Sequence, residues 1–326
     1  MQSNSLSRWT YLDNLSGVLI AFCVFLYHLP SFIASFDTAF FYYLRNIFGF
    51  FIAWFFFKSG MLYKKRTVKE EFQKCWSRLL VPYLVINVLC ISVRILISLF
   101  ITKEATVLEI LKVDLYRESD VFCNPLWFCL SLALVRILYQ AFSKERIKPV
   151  IVALSFIIAF LLFLYCYHLG DDKRIINIPP WVGNIFLGLF FYGLGDLMKE
   201  FQYKNYCFVI SAVLFVFFLF VPSYLDFYKN FSDNYLLAIV YNLSGIILFN
   251  NIFKRWLNVK IPLLTHVGAN SMIYYITHYT FFIALFYHYV EAPGWLVYIV
   301  SFILTVVFLY LMDLVFTKTR MRKLIA

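Results

Sequence analysis

The sequence predicts an all-α integral membrane protein, a bundle of ten transmembrane helices with both termini in the cytoplasm. The chain is 63% hydrophobic and only 14% charged, whereas a soluble domain is nearer half apolar and a quarter charged. Ten apolar segments approach the length of about 20 residues that a spanning helix needs. The basic residues also concentrate in alternate loops, as the positive-inside rule requires. Residues 1–326 are therefore predicted to form one integral-membrane domain, with no separate soluble domain.

The ten segments are 12–35, 40–62, 79–101, 125–143, 149–169, 180–198, 205–224, 234–253, 270–290 and 294–316. The first is long enough to remain in the membrane, so we interpret it as a helix and not as a cleaved signal. The sixth is rich in glycine, with Gly183, Gly188, Gly193 and Gly195. Glycines at such spacings permit close helix packing.

The distribution of charge sets the orientation. Most of the 29 basic residues fall in one set of alternate loops, including a cluster between residues 64 and 78. The positive-inside rule places these loops and both termini in the cytoplasm. The net charge of +11 is then a topology signal and a contact for anionic membrane lipids. We find no motif of an RNA- or DNA-binding module, and we expect no nucleic-acid partner.

The cysteines give no sign of a metal site or of disulfides. No two of them form a CxxC pair or a Cys/His set with zinc spacing, and most lie in apolar runs, where a free thiol behaves as a small hydrophobe. They are Cys23, Cys75, Cys90, Cys123, Cys129, Cys166 and Cys207.

The first segment carries the strongest candidate for chemistry. It has Asp13 at its start and His28 near its end, and an ionisable side chain inside lipid marks a functional site by default. Histidine suits general base catalysis near neutral pH. The two residues are about 22 Å apart along a helix at 1.5 Å per residue, so they do not touch. Alternatively, His28 caps the span beside Pro30 and faces outer water.

A cationic region follows the second segment. Lys58 lies near the cytoplasmic end of that segment, where it either has a function or simply snorkels to the headgroups. The basic cluster then leads to Arg78 at the start of the third segment. The cluster suits a phosphate-rich donor that approaches from the cytoplasm, with Arg78 nearest the bundle. Positive-inside retention is the alternative explanation.

Other residues within the spans are further candidates for function. Arg45 either holds an anionic acceptor or an oxyanion, or it snorkels. Arg94 and Arg136 lie deeper, so each is expected to have an acidic or carbonyl partner. His278 either orients the first-segment histidine or contacts substrate, or it is a hydrogen-bonded packing residue. Trp127 belongs to the aromatic belt or stacks on a sugar.

Several short motifs together resemble those of the acyltransferase-3 family of membrane O-acyltransferases. The resemblance covers nearly the whole chain, and the order and spacing of the motifs are more specific than any one of them. The motifs are Asp13-x-Leu15 with Gly17 and His28, FFF-x-SG at Phe55–Gly60, Arg78-Leu-Leu-Val-Pro82-Tyr83, PLW at Pro125–Trp127 and NSMIYYITH at Asn270–His278.

The resemblance implies a donor acyl-CoA that enters from the cytoplasm and an acceptor sugar hydroxyl on the outer side or in a central cavity. It implies that His28 is the catalytic residue, and we group Asp13 with it as a catalytic candidate. Asp13 otherwise pairs with Arg8 or Lys58, or caps the first helix. The family's basic loop binds the CoA phosphates, which implicates the residues Arg78, Lys58, Lys64, Lys65 and Arg66.

The sequence departs from the family in two places. Ser16 stands where the family usually carries Arg or Lys, and Lys58 is a candidate to supply the missing cation. The interval from Asp13 to His28 is also one residue longer than usual. One residue rotates a helical position by about 100°, so His28 would face another way unless a local bulge absorbs it.

The sequence thus predicts an acyltransferase of the bacterial plasma membrane. It would move an acyl group, expected to be acetyl, from acyl-CoA to a hydroxyl of a cell-surface polysaccharide or lipid-linked sugar, with no permanently bound cofactor. The alternatives are a transporter or flippase and a family member that has lost activity. An inverted-repeat transporter would show paired broken helices, which the sequence does not display. The acceptor sugar and the oligomeric state stay open.

Overall fold

The structure, a computed structural model, describes residues 9–33, 38–97, 99, 126–142, 144–169, 180–221, 223–227, 230–286 and 294–318. Apart from an isolated bridge between Asp226 and Phe231, the regular elements in these ranges are helices, as predicted. They are α1 Thr10–Ser31, α2 Thr38–Phe48, α3 Phe51–Met61, α4 Val68–Cys75, α5 Val81–Ile97, α6 Trp127–Phe142, α7 Lys148–Leu169, α8 Pro180–Met198, α9 Asn205–Phe220, α10 Tyr235–Trp256, α11 Pro262–Ala269, α12 Ser271–Phe286 and α13 Gly294–Lys318.

Several of these helices have the length and composition of membrane spans. In the part of the chain that the structure describes, four are long and apolar enough to cross a membrane: α1, Lys148–Tyr165 of α7, α10 and α13. The shorter apolar helical stretches are Asn46–Met61, which combines the end of α2 with α3, and Trp127–Phe142, Asn184–Met198 and Asn205–Phe220. Each of the ten predicted segments contains a helix, and the protein is a multi-pass membrane protein.

The structure corrects two of the predicted segments. Segment 40–62 is not one helix, because α2 and α3 are separated by a turn at Gly49 and Phe50. Glycine is a poor residue for a helix interior, by about 1 kcal/mol relative to alanine, and an apolar pattern does not reveal this break. Helix α5 is preceded by α4 and by a π-helical stretch, Trp76–Leu80, so this helical region begins before residue 79.

Helix α4 is amphipathic and begins with a capping box. The Thr67 hydroxyl accepts a hydrogen bond from the Glu70 amide, and the Glu70 carboxylate accepts one from the Thr67 amide at 2.9 Å. This pattern satisfies two of the amide groups that a helix start leaves without partners. Hydrogen bonding from the Thr67 backbone lowers the pKa of Glu70.

Glycines bring two pairs of helices into backbone contact. A Cβ atom at Gly60 of α3 would lie 1.8 Å from the Tyr192 carbonyl oxygen of α8, and one at Gly195 would lie 2.1 Å from that of Phe57. A Cβ at Gly268 of α11 would lie 1.6 Å from the Asp13 carbonyl oxygen of α1. Close packing was expected of the glycines in the sixth segment and is confirmed for Gly195. Gly60 is also a packing residue, because a side chain there would collide with the Tyr192 carbonyl.

Alanine at Gly60 is expected to destabilise the protein by about 1–3 kcal/mol or more, because the new methyl group would collide with backbone that has no rotamer to change. The measurement is the apparent melting temperature of the purified protein in detergent. Ser59→Ala, one position earlier and half-buried, is the matched control and should melt close to the wild type. Equal melting temperatures for the two variants would contradict the contact between α3 and α8.

Candidate active site

His28 lies at the end of a π-helical stretch within α1. The stretch is Phe22–His28, and it is flanked by ordinary α-helix on both sides. A π-helix closes its hydrogen bonds from residue i to i+5, so it accommodates an extra residue, and such bulges frequently occur at functional sites. The interval from Asp13 to His28 was noted as one residue too long unless a bulge absorbs it. The structure contains that bulge.

The His28 side chain contacts His278 of α12. Its Nδ1 lies 2.8 Å from His278 Nε2, and the two rings are stacked with centroids 5.0 Å apart. His278 is fully buried, whereas His28 is part-exposed. The structure thus brings together two candidates that are separated by 250 positions in the sequence.

The partners of His278 determine which nitrogen of each ring carries a proton. His278 Nδ1 lies 3.0 Å from the Tyr274 carbonyl oxygen, which only accepts hydrogen bonds, so Nδ1 is the donor. In a neutral ring, Nε2 then carries the lone pair and accepts from His28 Nδ1–H. We therefore assign the lone pair of a neutral His28 to Nε2, the atom that would act as a base.

Cys23 joins the histidine pair. Its Sγ lies 3.6 Å from His28 Nδ1, and the thiol is fully buried. Sequence reasoning missed this residue because an apolar run makes a cysteine indistinguishable from a small hydrophobe. A spacing of five residues does not align two side chains on an ordinary α-helix. The long Asp13–His28 interval suggested a bulge but did not place it at Phe22–His28.

Aromatic rings surround the two histidines. Tyr27 and Tyr279 meet the His28 ring edge-on at centroid distances of 5.0 and 5.6 Å, and Phe282 packs against His278 at 5.6 Å. The Tyr27 hydroxyl is also hydrogen-bonded to that of Tyr224 at 2.7 Å. A polar pair in such apolar surroundings interacts more strongly than it would in water.

Lys58 reaches the residue that replaces the family's cation. Its Nζ donates a hydrogen bond to Ser16 Oγ, and the Ser16 hydroxyl donates to the Leu12 carbonyl at 2.7 Å. The ammonium also lies 5.4 Å from the centre of the Trp54 ring. A cation from α3 therefore stands beside α1 at this position.

Lys58 and Asp13 are far from the histidines. Ser16 precedes His28 by twelve positions, about 18 Å along a helix. Asp13 lies one turn before Ser16 and is buried. Lys58 and Asp13 thus belong to the end of the bundle where α1 begins, and neither acts directly on a proton held by His28.

The basic cluster predicted to receive phosphates lies in the loop before α4, along α4 and in the π-helical stretch Trp76–Leu80 that follows it. Lys64, Lys65 and Arg78 are exposed. Arg66 donates to the buried Glu71 carboxylate at 3.1 Å. Arg136 of α6 also binds that carboxylate, with Nε at 2.7 Å, which confirms the prediction of an acidic partner for Arg136.

Two guanidinium groups share this single carboxylate, so positive charge exceeds negative charge around it. This excess affects the pKa of Lys74: burial lowers that pKa, and repulsion by nearby cations lowers it further. Those cations are Arg66, Arg136 and Arg78. Lys74 was not among the predicted site residues, yet it belongs to the same group of cations.

The remaining candidates are Trp127, Arg45 and Arg94. Trp127 begins α6 and is buried, so it does not face lipid as a belt residue would. The side chains of Arg45 and Arg94 lie outside the described residues.

The fold and this site define a multi-pass membrane protein with a paired-histidine centre inside a helical bundle and a cationic region at the end where α1 begins. The chain matches the family model described as an acyltransferase domain, that of the acyltransferase-3 family, over residues 9–314. It therefore belongs to that family of membrane acyltransferases. Searches of curated proteins and of solved structures each found no match.

Proposed function

We propose that this protein is an O-acyltransferase that moves an acyl group, expected to be acetyl, from acyl-CoA to a hydroxyl of a cell-surface polysaccharide or lipid-linked sugar. The observation that carries the proposal is the hydrogen-bonded pair of His28 and His278 in a chain of the acyltransferase-3 family. We propose further that all ten segments span a bacterial plasma membrane, with both termini in the cytoplasm.

His28 acts as the general base in this reaction. A sugar hydroxyl is a poor nucleophile until a base takes its proton. The hydroxyl oxygen attacks the thioester carbonyl carbon while its proton passes to His28 Nε2. When the C–S bond breaks, the same proton passes to the sulfur of the departing CoA. His278 holds the His28 ring in the required tautomer through the 2.8 Å hydrogen bond, as the partner of a catalytic histidine does elsewhere.

The separation between Lys58 and His28 suits the shape of acyl-CoA. The thioester stands at one end of an extended pantetheine arm and the phosphates stand at the other. With the thioester at His28, the arm runs along α1 past Ser16 toward the cytoplasmic end. Lys58 lies on this route, and the cations around Glu71 lie outside it where the phosphates emerge. The donor then enters from the cytoplasm, and the acceptor approaches His28 from the outer side.

Replacing Lys58 with methionine is expected to raise KM for acetyl-CoA about tenfold, the effect of losing about 1.4 kcal/mol of binding free energy. The effect on kcat should be smaller, since Lys58 is remote from the thioester. Kinetics with varied acetyl-CoA measure both constants. Lys58→Arg is the matched control, because it keeps the positive charge, and it should retain most of the affinity. A loss confined to kcat would contradict the role in donor binding.

The test of the proposed function is transfer of labelled acetyl from acetyl-CoA into membrane glycans, with membranes that lack the protein as the blank. The proposal expects protein-dependent incorporation accompanied by stoichiometric release of CoA thiol. Proteoliposomes loaded with the glycan fraction provide the second measurement. Protein-dependent flux without acetyl transfer would replace the proposal with a transporter, and neither activity would favour a member of the family without catalysis.

A further inference from the structure

Three metal-ligating atoms converge at the histidine pair. Cys23 Sγ, His28 Nδ1 and His278 Nε2 all lie within 4.8 Å of one another. We propose that these three side chains form a binding site for a thiophilic transition-metal ion of the Zn²⁺ type. Nothing in a glycan O-acyltransfer reaction requires such a site, so it is a property of this chain beyond the proposed function.

The backbone of α1 prepares two of the three ligands. Cys23 and His28 are five residues apart, a spacing that points side chains in different directions on an α-helix. In the π-helical stretch Phe22–His28, hydrogen bonds join residues that are five apart. The Cys23 and His28 side chains therefore lie on the same side of α1, the side that faces α12. The third ligand, His278, is fixed by its own contact with the Tyr274 carbonyl.

Two of the three distances between ligand atoms compare directly with those of a tetrahedral site. Zn–S bonds of about 2.3 Å and Zn–N bonds of about 2.0–2.1 Å give S···N edges of about 3.6 Å and N···N edges of about 3.3 Å. Cys23 Sγ and His28 Nδ1 are 3.6 Å apart. His28 Nδ1 and His278 Nε2 are 2.8 Å apart, so the two rings need to separate by about 0.5 Å. A change of that size replaces the hydrogen bond with two metal bonds.

The ligand set selects the class of ion. One thiolate and two imidazoles favour Zn²⁺, Co²⁺ or Cu⁺ over the hard ions Mg²⁺ and Ca²⁺, which prefer oxygen. Three protein ligands leave a fourth position for water, as in zinc sites that are not fully enclosed. Because Cys23 and His278 are buried while His28 is part-exposed, the ion enters from the side of His28.

When the metal binds, the site loses one proton. The Cys23 thiol releases its proton to solvent when the thiolate binds. The proton on His28 Nδ1 moves to Nε2 of the same ring, so the imidazole stays neutral. Nε2 then carries a hydrogen and is no longer able to accept one. This consequence rests on the proposed function: a bound metal would switch off the general base and inhibit acyl transfer reversibly.

The test uses Co²⁺ as the probe, added to the purified full-length protein in detergent. We expect equimolar binding with the intense visible bands of tetrahedral cobalt and a sulfur-to-cobalt charge-transfer band, all displaced by Zn²⁺. Cys23→Ser should lose the charge-transfer band. Cys207→Ser, which removes another buried thiol on α9, is the matched control and should keep it. His278→Gln retains every cysteine and should still lose the tetrahedral spectrum.

Bands that persist unchanged in Cys23→Ser, or wild-type protein that binds no Co²⁺, would overturn the proposal. These spectra do not depend on activity, so they separate the metal site from the acyltransferase assignment. Cobalt bands in a protein that transfers no acetyl would leave the metal site standing and the proposed function refuted. In an active preparation, Zn²⁺ should inhibit transfer, and a chelator should restore it.

Discussion

Replacing His28 with alanine is expected to lower kcat for acetyl transfer by about 10²–10⁴-fold, the contribution that a positioned general base makes. The variant removes the nitrogen that takes the hydroxyl proton and leaves His278 without the ring that it orients. Donor binding should change little, because Lys58 bonds to Ser16, which lies about 18 Å from His28 along α1. The measurement is initial-rate kinetics with labelled acetyl-CoA at matched expression, with KM for the donor determined in parallel.

His266→Ala is the control for this experiment. His266 lies on α11 and is paired with Asp313 of α13 at 2.8 Å, and its side chain is half exposed. It is thus a histidine of the same bundle that contacts neither His28 nor His278, and its loss should leave kcat within a few-fold of the wild type. Transfer that survives in His28→Ala would remove His28 from the mechanism, whatever His266→Ala does.

The all-α fold was predictable because apolar length and charge distribution are properties of local sequence. The helices of the predicted segments follow from these two patterns. The break at Gly49 and the early start of the third helical region do not follow from apolar length. The first lies at a glycine, and the second lies at the capping box of Thr67 and Glu70, local signals that a search for apolar segments passes over. Gly60 illustrates the difference: the sequence shows only a small residue near the end of an apolar segment, whereas in the structure a Cβ atom there would lie 1.8 Å from the Tyr192 carbonyl oxygen.

The part of the candidate site that consists of ionisable residues in apolar segments was predictable from local sequence. His28 and Lys58 stood out as ionisable residues in apolar segments, and the replacement of a cation by Ser16 suggested the link that the Lys58–Ser16 hydrogen bond makes. The partnership with His278 joins residues 250 positions apart. Orientation of His28 was one of the interpretations of His278, but a single sequence holds no distance that would choose it over a packing role. Cys23 was missed because its contact with His28 depends on where the π-helical stretch lies. The sequence suggested a bulge in the first segment but did not fix its position.

Replacing Glu71 with alanine is expected to destabilise the protein by about 3–5 kcal/mol, the usual cost of breaking a buried ion pair by removing one partner. Glu71 is almost fully buried and binds both Arg66 and Arg136. Arg66 is able to turn toward solvent, but the Arg136 guanidinium would be left among apolar helices without its carboxylate. The apparent melting temperature in detergent measures the effect. Glu70→Gln is the matched control, because its exposed side chain only completes the helix cap, and it should cost about 1 kcal/mol or less.

A double variant separates the loss of an ion pair from the loss of packing volume. Replacing both members of a buried pair with apolar residues of similar size is often neutral or stabilising, so Glu71→Leu combined with Arg136→Met should recover most of the stability lost in Glu71→Ala. If the double variant melts as low as the single one, Glu71 stabilises the protein by packing and not by neutralising Arg136. If it recovers, donor binding becomes the informative readout, because one cation and one anion of the cluster are then gone together while Arg66 remains. Under the proposed function, KM for acetyl-CoA should stay close to that of the wild type in this variant, since the net charge of the cluster is unchanged.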